Sequence, residues 1–203
     1  MDAKASVAML RAVAEAVIAN VDVLTDADLA TGDGDHGIGM RRGFEAALVA
    51  LDAPPATIDA AFRATGMAIM ANTGGAAGAV FGTVFTAGAK AFAGQDEITP
   101  NSFRHFLADA QAAVSKRGGV VEGQKTMLDA LGFAARAAAV EGDLAEAMTA
   151  AAKGAQDGVE ATKAMIATTG KARSLGERSI GHPDPGAISV AIILGAMRDY
   201  TAA

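Results

Sequence analysis

Residues 31–40 read Thr31-Gly32-Asp33-Gly34-Asp35-His36-Gly37-Ile38-Gly39-Met40, and a further acid, Asp28, lies five residues before Asp33. Three carboxylates therefore fall within eight residues, and a glycine separates two of them. Such residues are poorly suited to a packed core, because burying a charge is costly and glycine adds no apolar surface. The stretch predicts an exposed loop, and the residues on either side of it have helical spacing.

The three acids of this region, Asp28, Asp33 and Asp35, suit a hard divalent cation. Mg²⁺ prefers oxygen ligands and usually keeps waters and substrate phosphates beside one or two carboxylates. Asp33 and Asp35 share a face only on extended or looped backbone, and Asp28 can join them from the preceding turn. A solvated Asp-Gly turn without a metal is the alternative, because this pair is common in turns. We interpret the three acids as candidate metal ligands.

The composition narrows the class of protein. The chain has 203 residues, of which 51% are hydrophobic, and its formal net charge is −6. This length fits one domain or at most two and allows a substantial core. Alanine, the best helix former, is frequent in the sequence. The absence of cysteine excludes disulfides, thiolate metal sites and cysteine nucleophiles.

Charge and hydropathy exclude two kinds of partner. No basic patch stands out, so we expect no binding to nucleic acid. No apolar stretch reaches the roughly 18 residues that a membrane span requires, and the N-terminus lacks a signal-peptide pattern. We therefore expect no membrane partner and a cytoplasmic location.

Apolar residues recur with helical spacing along most of the chain, and strand-like alternation is nearly absent. The pattern predicts an all-α fold, with residues 1–203 forming a single domain. Short connections favour antiparallel, up-and-down neighbours. About eight helices are predicted, at residues 4–20, 37–51, 57–70, 79–92, 99–116, 124–140, 144–169 and 185–200.

Alternate loops of an up-and-down bundle lie at the same end. The loops after the first, third, fifth and seventh predicted helices hold the unusual residues, whereas the other connections look ordinary. These loops contain the three acids, Gly74-Gly75-Ala76-Ala77-Gly78, Arg117-Gly118-Gly119 and residues 170–185. The sequence therefore predicts a composite site at one end of the bundle.

Several of these loop residues suit a nucleotide. Small residues from Gly75 to Ala77 let backbone N–H groups approach a phosphate at a helix N-terminus, although a plain glycine-rich helix break is equally compatible. Gly186 offers a second helix start. His36 could contact a phosphate or cap its helix, and Met127 could face a base or belong to the core. Lys171 places a cation near the predicted phosphates.

Four blocks of the sequence resemble the nucleotide-binding L subunit of dihydroxyacetone kinase, which is also the C-terminal domain of the fused kinases. The blocks are Gly32 to Gly37, Asn72 to Thr83, Gly123 to Met127 and Leu175 to Gly186. The resemblance covers nearly the whole chain. It implies a barrel of eight antiparallel helices.

The resemblance also implies a site. It places two Mg²⁺ ions on Asp28, Asp33 and Asp35, bridging the phosphates of ADP or ATP. Residues implied around the nucleotide are His36, Gly37, Ile38, Gly39, Ala76, Ala77, Gly118, Met127, Asp184, Pro185 and Gly186. Gly75 joins them as part of the glycine-rich turn.

A partner is implied as well, since the family's small keto-sugar is held by a separate K subunit. Phosphoryl transfer depends on positioning and charge neutralisation, so we assign no general base within this chain. Lys171 is the candidate for stabilising charge on the transferred group, and it replaces the family's arginine. Two further departures are Gln124 in place of an aspartate and Ala77 in place of a serine.

Several alternatives stay open at this stage. ATP could exchange freely, or bound ADP could be rephosphorylated by a phosphotransferase-system protein. The sugar could be dihydroxyacetone or a four-carbon sugar such as erythrulose, and a homodimer is left open. The chain could instead be a nucleotide-loaded module that docks on a transcription regulator, or a carrier of an apolar ligand.

Overall fold

Nine α-helices account for most of residues 1–202, which the computed structural model describes. Only an isolated bridge between Asp2 and Glu97 pairs extended backbone in these residues. The 3-10 segments are Ala89–Phe92 and Lys171–Ser179. The helices are α1 (Ala3–Ala19), α2 (Val21–Thr31), α3 (His36–Ala50), α4 (Ile58–Asn72), α5 (Gly75–Gly88), α6 (Pro100–Gly118), α7 (Met127–Ala137), α8 (Leu144–Thr162) and α9 (Pro185–Ala202).

Local capping explains where several helices begin. The Thr99 side chain accepts from the Ser102 N–H, Ser102 caps in return, and Pro100 occupies the first turn. Thr126 and Asp129 form the same reciprocal arrangement at the start of α7. Each cap satisfies amide groups that have no partner inside the helix, so these starts are local properties of the sequence.

Eight of the helices form a closed ring. Contacts run from α1 to α3, through α4, α5, α6, α7 and α8 in chain order, and α9 packs back against α1. The all-α fold predicted from the sequence is therefore confirmed, including the arrangement of about eight helices as a barrel. None of the helices in residues 1–202 combines the length and the apolar character needed to cross a lipid bilayer.

The extra helix, α2, is the main difference from the sequence prediction, which placed a turn before the acidic loop. Its buried residues are Leu24, Asp28 and Thr31, so only one of the three is apolar. A stripe with a single apolar residue gives no periodic hydrophobic signal. Asp28 consequently lies in the last turn of a helix that packs against α3 and α9.

The segment before α9 also differs from the prediction. Helix α8 ends at Thr162 rather than near residue 169, and Lys171–Ser179 forms a 3-10 segment in what was predicted to be an irregular loop. The Gly181 N–H donates to the Lys163 carbonyl at 2.8 Å, so the chain folds back on itself there. Helix α8 therefore ends at this turn, although the helical spacing of apolar residues continues beyond Thr162 in the sequence.

Aromatic rings fill the space between α4, α5 and α6. The ring centroid of Phe62 lies 4.7 Å from that of Phe92, 5.2 Å from that of Phe106 and 6.3 Å from that of Phe85. All four side chains are buried. These rings form part of the buried core of the barrel.

Helices α4 and α5 approach closely enough to require glycine. A Cβ atom built on Gly66 would lie 2.7 Å from the Gly82 carbonyl oxygen, and one built on Gly82 would lie 2.6 Å from Met70 Cβ. The short turn between these two helices is therefore held tightly at one end of the barrel.

Candidate functional site

A cavity of about 320 Å³ opens at one end of the barrel. The loops that follow α2, α4, α6 and α8 all contribute to its wall. Three of the four regions singled out in the sequence meet there, whereas Arg117-Gly118-Gly119 lies outside the wall and the loop after α6 contributes Lys125 and Thr126 instead. Its size is at the lower end of the range for small-molecule sites.

The three acids lie together at the edge of this cavity. One carboxylate oxygen from each of Asp28, Asp33 and Asp35 lies within 4.8 Å of the others. Asp28 is only 7% exposed, and its Oδ2 accepts from the His36 N–H at 3.1 Å. Asp35 precedes α3 but makes no side-chain cap, so its carboxylate is directed to other partners. One buried and two exposed acids thus converge from two elements.

Lys171 reaches two of these acids from the loop after α8. Its Nζ donates to Asp33 Oδ1 at 2.5 Å and to Asp35 Oδ1 at 2.8 Å. The hydrogen bond from Lys171 lowers the pKa of Asp33, and the two carboxylates raise the pKa of Lys171 to about 12. Asp33 and Lys171 are therefore both charged at neutral pH.

Two observations indicate that the acidic cluster is suited to a magnesium ion. Its donors are all carboxylate oxygens, which is the chemistry that Mg²⁺ prefers. The ammonium of Lys171 is held between Asp33 and Asp35, so these two side chains already orient their oxygens toward a common cation. The residues that could hold the metal are the three predicted from the sequence.

The turn between α4 and α5 contributes backbone with small or no side chains to the cavity wall. Gly74 and Gly75 have φ values of 82° and 57°, a region that favours glycine, and a Cβ on Gly75 would contact nothing within 4 Å. Arg42 Nη2 donates to the Thr73 carbonyl at 3.0 Å and adds a positive charge beside this turn. With Ala76 and Ala77 in the wall, the N-terminus of α5 offers an anion site.

His36 lies in the cavity wall and is held by α9. Its Nε2 lies 2.8 Å from Ser189 Oγ, and burial lowers the pKa of the ring. The imidazole therefore favours the neutral form, in which it can hydrogen-bond a ligand without adding a full charge.

The opposite wall comes from the starts of α7 and α9. Met127, Asp184, Pro185 and Gly186 all line the cavity. A Cβ on Gly186 would lie 3.1 Å from Met127 Cβ, so the two helix starts are in contact. Met127 adds an apolar side chain to the cavity wall, which suits the flat face of a base.

Because the Asp184 carboxyl is buried, we expect the free energy of unfolding to depend on pH. Burial raises the pKa of this carboxyl to about 7 from an ordinary value of 3.8, although Asp184 Oδ2 accepts from the Ala187 N–H at 2.7 Å. Between these values the folded protein binds more protons than the unfolded chain, so the stabilising effect is complete below about pH 4 and is lost as pH rises through 7.

The Asp184→Asn variant keeps the cap acceptor but cannot ionise. Between pH 5 and pH 8, we expect the free energy of unfolding of the parent protein to fall by about 2 kcal/mol more than that of the variant. Urea unfolding at both pH values measures the difference. Parallel pH curves for the two proteins would contradict the prediction.

Some residues predicted for the site lie outside the cavity wall. A Cβ on Gly37 would meet Val21 and Thr25, so this glycine serves the packing of α3 on α2. Ile38 is 46% exposed, and Gly118 ends α6 beside Val120. Asp33 contributes through the acidic cluster rather than through the wall.

The sequence analysis missed other residues of the site. Arg42, Thr73, Phe81 and Lys125 all line the cavity. Lys125 lay within the block from Gly123 to Met127, immediately before a helix cap, which is a signal that could have identified it. The substituted Gln124 accepts from the Val121 N–H at 3.0 Å and so closes the turn before α7.

Comparison with known proteins agrees with this geometry. The DAK2 domain family matches residues 30–199. The chain is 38% identical over 184 residues to the ADP-binding subunit DhaL of PEP-dependent dihydroxyacetone kinase 1 from Listeria innocua, covering 90% of this chain and 89% of that subunit. It is 35% identical to the L-erythrulose 1-kinase of Mycolicibacterium smegmatis, over 85% of this chain and 31% of that enzyme.

A solved structure shows the same fold. The dihydroxyacetone kinase of C. freundii, in complex with AMP-PNP and Mg²⁺, superposes with a TM-score of 0.74 at 23% identity, over 95% of this chain and 33% of that one. Because the sequence match spans most of the chain and of the Listeria subunit, the family is established. This chain belongs to the DAK2 domain family, together with the ADP-binding subunits of dihydroxyacetone kinases.

Proposed function

We propose that this chain is the nucleotide-binding subunit of a dihydroxyacetone-type kinase. Residues 1–203 would form one domain that binds ADP or ATP through Mg²⁺. The phosphoryl group would pass to a small keto-sugar held by a separate K subunit. The observation that carries the proposal is the convergence of Asp28, Asp33 and Asp35 at the edge of a cavity that is also lined by the glycine-rich start of α5.

The acids supply the metal part of the proposal. Asp28, Asp33 and Asp35 would hold two magnesium ions, and bound Mg²⁺ neutralises phosphate charge and orients the transferred group. Asp28 is fixed by its bond to the His36 amide, so it is the most rigid of the three ligands. Asp33 and Asp35 are exposed and remain open to solvent and to a ligand.

The nucleotide would lie across the cavity. Backbone N–H groups at Gly75, Ala76 and Ala77, at the start of α5, would donate hydrogen bonds to phosphate oxygens. Met127 would face the base, and Asp184 to Gly186 would close the opposite side. Lys171, at the acidic edge, would supply positive charge to the transferred group.

The similarity to a relative that is named as an ADP-binding subunit supports a separate substrate-binding subunit. The chain spans 89% of the Listeria ADP-binding subunit but only 31% of the erythrulose kinase. The larger enzyme therefore has about two thirds of its length outside the matched part, which is room for a sugar-binding region. A Lactococcus lactis relative, 32% identical to this chain, is named as the ADP-binding subunit DhaL of a PTS-dependent dihydroxyacetone kinase, which supports a phosphotransferase-system protein as a donor for this chain.

A four-carbon sugar is the second candidate substrate. Its support is the similarity to the L-erythrulose 1-kinase, at 35% identity over 85% of this chain. Because the K subunit would hold the sugar, this chain's own cavity does not distinguish the two substrates.

Phosphoryl transfer tests the proposed function. The chain is mixed with a K subunit, ATP and Mg²⁺, and dihydroxyacetone or erythrulose phosphate is measured by ³¹P NMR. We expect product only when both subunits are present, because the nucleotide and the sugar lie on different chains. Asp33→Ala should abolish product formation, since it removes a metal ligand. Asp22→Ala, on the exposed start of α2, is the matched control and should retain it.

Two outcomes would contradict this assignment. Nucleotide binding without transfer to either sugar would instead favour the regulatory module. Full phosphoryl transfer by the Asp33→Ala variant would show that the acidic cluster takes no part in the reaction. Within the kinase assignment, fast release of labelled ADP on dilution would exclude a tightly held ADP that is rephosphorylated in place.

A further inference from the structure

Lys125 is a buried lysine in the cavity wall, and it belongs neither to the acidic cluster nor to the residues proposed to contact the nucleotide. Its side chain is 3% exposed, and its Nζ donates to the carbonyls of Thr162 and His182, both at 2.5 Å. Burial lowers the pKa of the ammonium, while the charges of Asp184 and Asp129 act in the opposite direction. Burying an ammonium group costs free energy unless the group is hydrogen-bonded. The Lys125 ammonium therefore depends on its hydrogen bonds to both carbonyls.

The two carbonyls lie at the two ends of one loop. Thr162 is the last residue of α8, and His182 precedes α9 by three residues. One ammonium therefore closes residues 163–181 into a loop with fixed ends. The Asp184 N–H donates to Thr162 Oγ1 at 3.0 Å and reinforces this closure.

The backbone at Lys125 points to the same role. Lys125 has a φ of 61°, and it is the only non-glycine residue with positive φ among the described residues. Such a conformation is unfavourable for a residue with a side chain and persists where surrounding contacts determine it. The contacts here are the two carbonyl bonds on one side and the cap of α7 by Thr126 on the other.

The loop that Lys125 closes supplies a functional group. Lys171 lies within it and reaches Asp33 and Asp35, and Asp184 lies three residues after its end. Most of the loop's side chains are exposed, so few core contacts hold it in place.

Inside the loop, the Ala167 N–H donates to Ser179 Oγ at 3.0 Å, and at its ends the Gly181 N–H donates to the Lys163 carbonyl. The Lys125 ammonium is therefore one of a small number of contacts that hold the loop in position.

We propose that Lys125 is a positioning residue whose buried ammonium fastens the ends of the 163–181 loop and so places Lys171 and Asp184 at the nucleotide site. The part concerning the nucleotide rests on the proposed function. The part concerning the loop stands on the Lys125 contacts alone.

The test compares Lys125→Met with the parent protein. Methionine keeps most of the side-chain volume and the same backbone strain, so the comparison isolates the ammonium. We expect amide hydrogen exchange in residues 163–184 to become at least tenfold faster, while exchange in α3 to α6 is unchanged. We also expect the Kd of Mg-ADP, measured by calorimetry, to rise at least tenfold.

Two further variants make the test specific. Lys163→Met makes the same change in the same loop, at a half-exposed side chain that pairs with Glu160, and should stay within twofold of the parent. Lys125→Gln restores an N–H donor and should recover part of both losses, which loss of packing alone would not predict. If Lys125→Met does not fold, Lys125→Gln is judged by the same two measurements.

The outcomes separate this proposal from the proposed function. Exchange and Mg-ADP affinity within twofold of the parent would overturn the role of Lys125. Faster exchange with unchanged affinity would overturn its role in positioning the site. If the parent protein does not bind Mg-ADP, the proposed function fails, and the exchange measurement alone decides whether Lys125 fastens the loop.

Discussion

Replacing Asp28 by asparagine is expected to weaken Mg-ADP binding by about a hundredfold or more, because even outer partners of metal ligands contribute up to about a hundredfold to metal affinity. Asp28 is the buried acid of the cluster and the one fixed by a backbone bond, from the His36 N–H. Asparagine preserves the shape and that acceptor but removes the negative charge. Calorimetric titration with ADP, with and without Mg²⁺, measures the effect.

The control for this variant lies on the same helix. Asp26 is exposed, two residues before Asp28, and Asp26→Asn makes the same chemical change outside the cluster. It should leave the affinity within twofold of the parent value. Chelating Mg²⁺ should lower the ADP affinity of the parent protein to that of the Asp28→Asn variant. Equal affinity of parent and Asp28→Asn in the presence of Mg²⁺ would exclude this acidic cluster as the metal site.

Replacing Phe62 by alanine is expected to lower the free energy of unfolding by about 4 kcal/mol, as for other buried phenylalanines. Its ring is 1% exposed and contacts Phe85, Phe92 and Phe106 from three elements. The change removes apolar burial and leaves a cavity that rigid helices cannot fully close. Because small domains are stable by only about 5–15 kcal/mol, this is a large fraction of the total.

Urea unfolding followed by circular dichroism measures this loss. Phe133 provides the matched control, since its ring is only half-buried and lies beneath the Arg136 guanidinium, 5.1 Å from the ring centroid. Phe133→Ala should cost about 1.5 kcal/mol, from partial burial and one cation–π contact. Equal losses in the two variants would show that the cluster around Phe62 is not the centre of the core.

The helices were largely predictable because their signals are local. Thr99 and Pro100 define the start of α6 within three residues of chain, and apolar spacing identifies the buried face of α1. Helix α2 escaped prediction because two of its three buried residues, Asp28 and Thr31, are polar. Burial of those two residues is a consequence of packing at the site, so the apolar pattern does not contain it.

The site was predictable in its chemistry and less so in its contacts. The spacing of Asp28, Asp33 and Asp35 indicated a metal site, and the four loops indicated one end of the barrel. Gly37, Ile38 and Gly118 were expected near the nucleotide but lie outside the cavity wall. Glycines at helix contacts and glycines at ligand sites have the same appearance in a sequence, since both are selected for lack of a side chain.

The sequence by itself determined the helices, their caps and the acidic residues, because each depends on neighbours within a few positions along the chain. Only the tertiary structure decided which distant groups meet. Lys171 reaches Asp33 across 138 residues, and His36 reaches Ser189 across 153. These contacts exist because α9 closes the ring against α1 and brings the last loop over the first. Ring closure is a property of packing among all the helices, so no local pattern specifies it.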